Sequence, residues 1–277
     1  MTEGGSSPVI TEGLLLLGGT GSRLSPLTNG INKHLLPVFN KPMLFYPLSS
    51  LLLAGAKNIF VVGRAQDFPG FKKSLGSLAL EGVQIKYLEQ TSPDGIVDAM
   101  LVAKEKLLGK PFWMALGDNL LFGSGLGLGL RSLNESKGAA GFAIDSNTSE
   151  QFGTVRFDDL GNPAEVREKA PRSFSTKAIP GLYKFDEEAM RLATEVEPSG
   201  RGEKEITSLL QLYLDAKALT IRKLPRGTTW MDLGTPVDIL EAATLVRLFE
   251  ERSGLRIGDP QEALEAYREP PESDNQS

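Results

Sequence analysis

Two apolar runs in this chain end on an aspartate. Residues 112–116 (FWMAL) lead into Gly117-Asp118-Asn119, and Trp230-Met231-Asp232-Leu233-Gly234 stands just before a well-marked helix start. One carboxylate from each half of a chain suits Mg²⁺, which takes one or two protein oxygens and fills its shell with phosphate and water. Asp118 and Asp232 are therefore the candidate metal ligands. Residues 18–24, GGTGSRL, are complementary in charge preference. Gly18, Gly19 and Gly21 let the backbone approach a ligand and turn N–H groups, including those of Thr20 and Ser22, toward anionic oxygens, while Arg23 adds a cation to the cradle. The loop is neither a P-loop, since no Lys-Ser/Thr follows at the required spacing, nor a dinucleotide fingerprint, since position 24 is Leu24 and not a third glycine. Ten residues beyond Arg23 comes Lys33, then His34 and a stretch punctuated by Pro37, Pro42 and Pro47. Those prolines forbid one long helix and predict a stiff connection that holds Lys33 against the loop. Glu168 and Lys169 put an acid and a base side by side.

Chemistry of this kind needs a scaffold that delivers loops to one crevice. Apolar runs at 13–17, 58–62, 83–87, 112–116, 139–145, 153–157, 181–185 and 219–223 predict strands. Helical patterns cover 47–56, 94–108, 186–196, 205–216 and 236–251, the last started by Thr235 as cap, Pro236 at the first position and Asp238 near the positive dipole end. Strands alternating with helices predict an α/β fold, Rossmann-like, with a mixed and mostly parallel central sheet flanked by helices. Ligands of such sheets bind beyond the carboxyl ends of the strands, where the candidate residues fall. A single large domain over 13–258 is expected, with residues 1–12 as a flexible start and 259–277 as a short C-terminal tail.

Composition narrows the function. The 277 residues carry 30 Lys and Arg against 35 Asp and Glu, a formal charge of −5 that gives no global attraction for nucleic acid or an anionic membrane. An anionic substrate must then be held by local cations. There is no cysteine and only one histidine, which excludes disulfides, thiol nucleophiles, iron–sulfur clusters and multi-histidine metal sites. The leucines at 14–17 are too few for a signal peptide core, and the low-polarity stretch 120–130 is too short and glycine-rich to span a bilayer. A soluble, cytoplasmic protein is expected.

Taken together, the motifs resemble those of the sugar-1-phosphate nucleotidyltransferases across residues 13–258. The pattern Gly-Gly-x-Gly-x-Arg-Leu is met at 18–24, and a lysine ahead of Leu-Leu-Pro-Val is Lys33. A glutamine followed by Ser-Pro-Asp-Gly is Gln90 with 92–95, and Leu-Gly-Asp-Asn is 116–119. Phe152-Gly153-Thr154 stands for the family's Tyr-Gly-Val, Glu168-Lys169-Ala170 for Glu-Lys-Pro, and Pro180-Gly181-Leu182-Tyr183 for Thr-Gly-Leu-Tyr. RGEKEIT at 201–207 and WMDLGT at 230–235 complete nine motifs in order. The resemblance implies attack of a sugar-1-phosphate oxygen on the α-phosphorus of a nucleoside triphosphate, with release of pyrophosphate and Mg²⁺ as cofactor. It is nearest to the branch using dTTP and glucose 1-phosphate.

By that resemblance Arg23 and Lys33 stabilise triphosphate charge and Lys169 holds the sugar phosphate, with Asp118 and Asp232 on the metal. The nucleotide side comprises residues 18–23, Lys33, His34, Gln90, Gly95 and Asp118; the sugar-phosphate side comprises Asn119, Gly153, Glu168, Lys169, Ile179 and Tyr183. A homo-oligomer is also implied. Where the family has glutamine after the lysine, this chain has His34; Ala170, Ser208 and Leu233 are further departures. If His34 donates to a triphosphate oxygen, affinity strengthens as pH falls through the ordinary histidine range near 6.5; packed neutral beside Lys33, it has no such effect. Two alternatives stay open: the same reaction with UTP, CTP, ATP or GTP and another sugar or cyclitol phosphate, and a catalytically inactive nucleotide-sensing homologue.

Overall fold

The structure, a computed structural model, describes residues 10–19, 21–92 and 94–268. Residues 1–9 of the flexible start expected over 1–12, residues 269–277 of the tail expected over 259–277, and the Thr20 member of the phosphate loop lie outside the described residues. Fourteen strands form among them: β1 (Glu12–Leu16), β2 (Pro37–Val38), β3 (Lys41–Pro42), β4 (Asn58–Gly63), β5 (Gln84–Glu89), β6 (Phe112–Leu116), β7 (Asn119–Gly123), β8 (Ala139–Asp145), β9 (Gly153–Phe157), β10 (Pro163–Glu168), β11 (Lys177–Ala178), β12 (Leu182–Phe185), β13 (Leu219–Lys223) and β14 (Thr228–Asp232). The helices are α1 (Phe45–Leu53), α2 (Phe68–Leu75), α3 (Ile96–Leu101), α4 (Lys104–Leu107), α5 (Leu126–Leu133), α6 (Ala189–Ala193), α7 (Ile206–Asp215), α8 (Pro236–Ser253) and α9 (Pro260–Arg268).

Ten strands make one sheet in the order β10-β9-β11-β8-β12-β6-β1-β4-β5, with β13 paired to β8. Strands β5, β4, β1 and β6 are mutually parallel, and β13 is parallel to β8. Only β12, β11 and β10 run against the rest. The mixed, mostly parallel sheet expected from the sequence is the one that forms.

Strand β1 shows why it must lie at the centre. Leu14 and Leu16 face one side of the sheet and pack with Met114, Phe60 and α3, while Leu15 and Leu17 face the other with Trp113, Val61 and α1. A strand apolar on both faces is stable only where helices cover both. A third, smaller core under α8 joins Val246 and Ala242 to Leu233, Leu120 and Tyr46.

Several expected bounds change. The helix expected over 94–108 is two short ones, α3 and α4: Gly95, at φ 116 and ψ 174, is the non-helical cap from which α3 starts, and the chain leaves helical geometry at Ala103 (φ −90, ψ 6) before α4. The helix expected over 186–196 narrows to α6, and the stretch 120–130 resolves into β7, a glycine turn and the start of α5. Residues 260–268 form α9, whose Ala263 and Leu264 are buried. No helix among the described residues is long and apolar enough to cross a membrane.

Candidate active site

Because β1 and β6 are parallel neighbours, the residues following them emerge side by side at one sheet edge. After β1 comes the glycine loop, in which Gly19 and Gly21 adopt φ 90 and 64 and lead into a single 3-10 turn, Ser22–Leu24. The N–H groups of Gly18, Gly19 and Gly21 donate to no described residue, which leaves them for an anion. After β6 comes the tight Gly117–Asp118 link to β7. Strand β14 pairs antiparallel with β7 so that Asp232 lies opposite Asn119, and the Leu233 N–H donates to the Asp118 carbonyl at 2.8 Å. Strand pairing thus brings together two carboxylates more than a hundred residues apart in sequence.

The two carboxylates differ in electrostatic state. Burial acts to raise the Asp118 carboxyl, but the Lys33 ammonium, 2.5 Å from its Oδ2, holds it below the usual range with help from His34. Asp232 is pushed well above the usual range, first by burial and then by the Asp118 charge, against the pull of Arg23 and Lys33. Gly234 makes room here: a Cβ would stand 2.7 Å from both Arg23 Nη2 and Asp232 Oδ2. Among the described residues no three acidic or imidazole groups converge to hold a metal on their own. Two hard oxygen donors that repel each other nevertheless fit a dication that draws its remaining ligands from phosphate and water.

Two adjoining cavities meet at this centre. The first, about 240 Å³, is lined by Gly18, Gly19, Lys33, His34, Gln90, Gly95 and Asp118. Gly95 can only be glycine, since a Cβ would press 2.7 Å from the Lys204 carbonyl oxygen, and this close approach shapes the cavity wall. The second, about 170 Å³, is lined by Asn119, Gly153, Glu168, Lys169, Ile179, Tyr183 and Asp232. Ile96, Leu116 and Glu203 border both. Every residue expected on the sugar-phosphate side is therefore in one cavity, and Lys33, His34, Gln90, Gly95 and Asp118 are in the other. Gly21, Ser22 and Arg23 border neither cavity; Arg23 approaches from the Asp232 side.

Lys169 is exposed, has φ 45, and donates its backbone N–H to the Phe152 carbonyl. A left-handed lysine is uncommon and is kept only where the surroundings enforce it. No salt bridge among the described residues claims its ammonium. Glu168 accepts from Thr207 Oγ1 at 3.2 Å, and burial and the Glu205 charge raise its carboxyl against Lys169 and Arg201. Burial likewise pushes the Tyr183 hydroxyl up, so it stays a neutral donor.

His34 is 1% exposed, and burial together with the Lys33 charge lowers its pKa to about 3, so of the two readings open for this residue the structure carries the neutral side chain packed beside Lys33. Asn119 borders the sugar-side cavity, yet its Oδ1 is already taken by the Gly181 N–H (2.8 Å) and Trp230 Nε1 (2.6 Å), and its Nδ2 donates to Asp118 Oδ1 (3.2 Å). It thus clamps β7, β14 and the start of β12 together while lining the sugar-side cavity. Sequence reasoning also passed over Arg201, which stands 3.3 Å from Glu205 and 3.8 Å from Glu168, although RGEKEIT carried its signal.

The chain matches the nucleotidyl transferase family over residues 12–247. It is 40% identical over 251 residues to the glucose-1-phosphate thymidylyltransferase of Mycolicibacterium smegmatis, covering 91% of this chain and 87% of that one. It is also 40% identical to the Xanthomonas campestris protein of the same name, over 91% and 85% of the two chains. A solved UDP-glucose pyrophosphorylase complexed with UDP-glucose superposes with a TM-score of 0.77 at 20% identity, over 88% of this chain and all of that one, and speaks for the fold.

Proposed function

The chain belongs to the nucleotidyl transferase family, and from that premise we propose that it transfers the deoxythymidylyl group of dTTP to glucose 1-phosphate, releasing pyrophosphate and dTDP-glucose. The names of the 40%-identical relatives support this choice of substrates. The observation that carries the reaction class is a pair of cavities that share a wall at Ile96, Leu116 and Glu203, one lined by Lys33 and Asp118 and the other by Lys169 and Asp232. Two anionic reactants can be brought together in an acidic protein only where local cations meet them, and Lys33 in the first cavity, Lys169 in the second and Arg23 beside Asp232 supply those charges in this reading.

In this reading the glycine loop receives the triphosphate through its free N–H groups, with Gln90 and the Gly95 backbone reading the base. Lys169 grips the acceptor phosphate and Glu168 accepts hydroxyl hydrogens of the sugar. Lys33 and Arg23 meet the charge that grows on the α-phosphate and the departing pyrophosphate. Asp118, kept ionised by Lys33, and Asp232 would hold Mg²⁺, which when bound neutralises phosphate charge and favours in-line displacement. No protein group becomes covalent, so the lack of a nucleophilic triad is no obstacle. The cytoplasm, where nucleoside triphosphates are made, is the compartment this reading requires. Exposed Val237 (61%) and Leu240 (68%) on α8 are consistent with a homo-oligomer.

The test is pyrophosphate release with dTTP, UTP, CTP, ATP and GTP, each against several sugar and cyclitol phosphates. dTTP with glucose 1-phosphate should have the highest kcat/KM; another leading pair would replace the substrates, and no turnover with any pair would favour a nucleotide-sensing protein. Asp118→Asn and Asp232→Asn should each lower Mg²⁺-supported turnover by at least ~10²-fold while remaining folded. Near-normal turnover in either folded variant would remove the two-carboxylate metal site.

A further inference from the structure

Lys33 rides on a single 3-10 turn, Lys33–Leu35, whose cap is Asn32. The Asn32 side chain is 4% exposed as a residue and fully occupied. Its Oδ1 lies 2.9 Å from the His34 backbone N–H and 2.8 Å from the His34 ring Nδ1. Its Nδ2 is 2.8 Å from Asp67 Oδ2 and 3.5 Å from the Leu17 carbonyl at the end of β1. Asp67, in turn, is gripped by Arg64 Nε at 2.9 Å, and its side chain is only 9% exposed.

The order of donors along this chain is forced. A carboxylate flanked by an arginine can only accept, so the Asn32 amide must aim its NH₂ at Asp67 and its oxygen at His34. An amide oxygen can only accept as well, and this one lies 2.8 Å from Nδ1, which assigns the hydrogen of the neutral imidazole to Nδ1 although the Leu17 carbonyl also faces the ring. The same oxygen receives the His34 backbone N–H and so fixes the turn from which Lys33 reaches Asp118. The glutamine that the family resemblance leads one to expect at position 34 has no ring to be oriented in this way.

We infer that Asp67 and Asn32 are positioning residues for Lys33, a relay that begins at the Ala65–Asp67 turn after β4 and fixes both the catalytic-lysine turn and the Nδ1–H tautomer of His34. The inference rests on the reading of Lys33 as catalytic, and its test separates the two. His34 is the only histidine, so long-range ¹H–¹⁵N spectra of the labelled protein near pH 7.5 report one imidazole without assignment. The relay requires a protonated Nδ1 and an unprotonated Nε2; the opposite tautomer in the unmodified protein overturns it with no variant needed.

Asp67→Ala should shift that tautomer toward a mixture and lower kcat by at least ~10-fold, the scale on which misplaced catalytic groups act, with the sugar-phosphate KM within ~2-fold. Asp67→Asn, whose carbonyl can still accept from Asn32, should keep the tautomer and return kcat to within ~3-fold of the unmodified protein. A wild-type tautomer or unchanged kcat in Asp67→Ala, or failure of Asp67→Asn to rescue, would refute the relay. Full turnover in Lys33→Ala would instead refute the catalytic reading while leaving the tautomer result intact.

Discussion

Lys169 and Lys33 are both lysines at phosphate-sized cavities, but their surroundings give them different work. Lys33 is half-buried and committed to Asp118, whereas Lys169 is exposed on a left-handed backbone with its ammonium uncommitted. The latter is therefore the group that can grip an incoming acceptor. Losing one charge-assisted hydrogen bond costs about 1.5–3 kcal/mol. Lys169→Ala should accordingly raise the sugar-phosphate KM by ~10- to 100-fold while the triphosphate affinity, read by calorimetry, changes little. Equal losses on both sides would contradict the assignment. Neighbouring Glu168 has Thr207 and Arg201 to hold it, so its carboxyl should stay in place when Lys169 is shortened.

Helix α8 shows how an element can serve a site it does not touch. Its cap, Thr235, stands three residues after Asp232, and its first turn is closed by a capping box: the Thr235 N–H donates to Asp238 Oδ2 at 2.8 Å, and the Asp238 N–H donates to Thr235 Oγ1 at 3.3 Å. The box fixes where the chain leaves β14 and hence where Asp232 stands. Thr235→Ala should cost about 1 kcal/mol in urea unfolding, and Thr235→Ser much less; equal stabilities for all three proteins would show that the box carries no weight. At the far end, Lys41 and Glu250 form a largely buried pair at 2.6 Å that ties the β2–β3 hairpin to the last turns of α8. The sequence signals at the start of α8 were local, which is why they were readable. The pairing of β7 with β14 joins segments more than a hundred residues apart, and no local pattern announces it.

On the scale of the whole molecule, the buried His34 couples the site to acid stability. Its folded pKa of about 3 lies below the ordinary 6.5, so the unfolded chain binds a proton in that window that the folded chain refuses. Stability from this group is complete above 6.5 and is lost as pH falls through the window, by about 1.4 kcal/mol per pH unit for one proton. The stability difference between the unmodified protein and His34→Gln, measured by denaturant unfolding between about pH 4 and 6.5, should therefore change with that slope. A difference independent of pH would mean that His34 is not held neutral. The same reasoning removes His34 as a source of pH-dependent triphosphate binding.

The sequence alone determined the class of fold and the chemistry to look for. Runs such as 112–116 and 13–17 are apolar on both faces and can only be buried strands, while glycine loops, capping residues and clustered charge types declare themselves within a few positions. Only the tertiary structure decided which of those groups meet. Asp232 faces Asp118 because β14 pairs with β7 in one register, and Asn119 became a clamp because Trp230 and Gly181 converge on it. The relay from Asp67 through Asn32 to His34 exists because β4 lies beside β1 in the sheet, which brings the turn at residues 65–67 against the residues that precede Lys33. Hydrogen-bond polarity and burial are properties of neighbours in space, and a linear pattern carries no record of them.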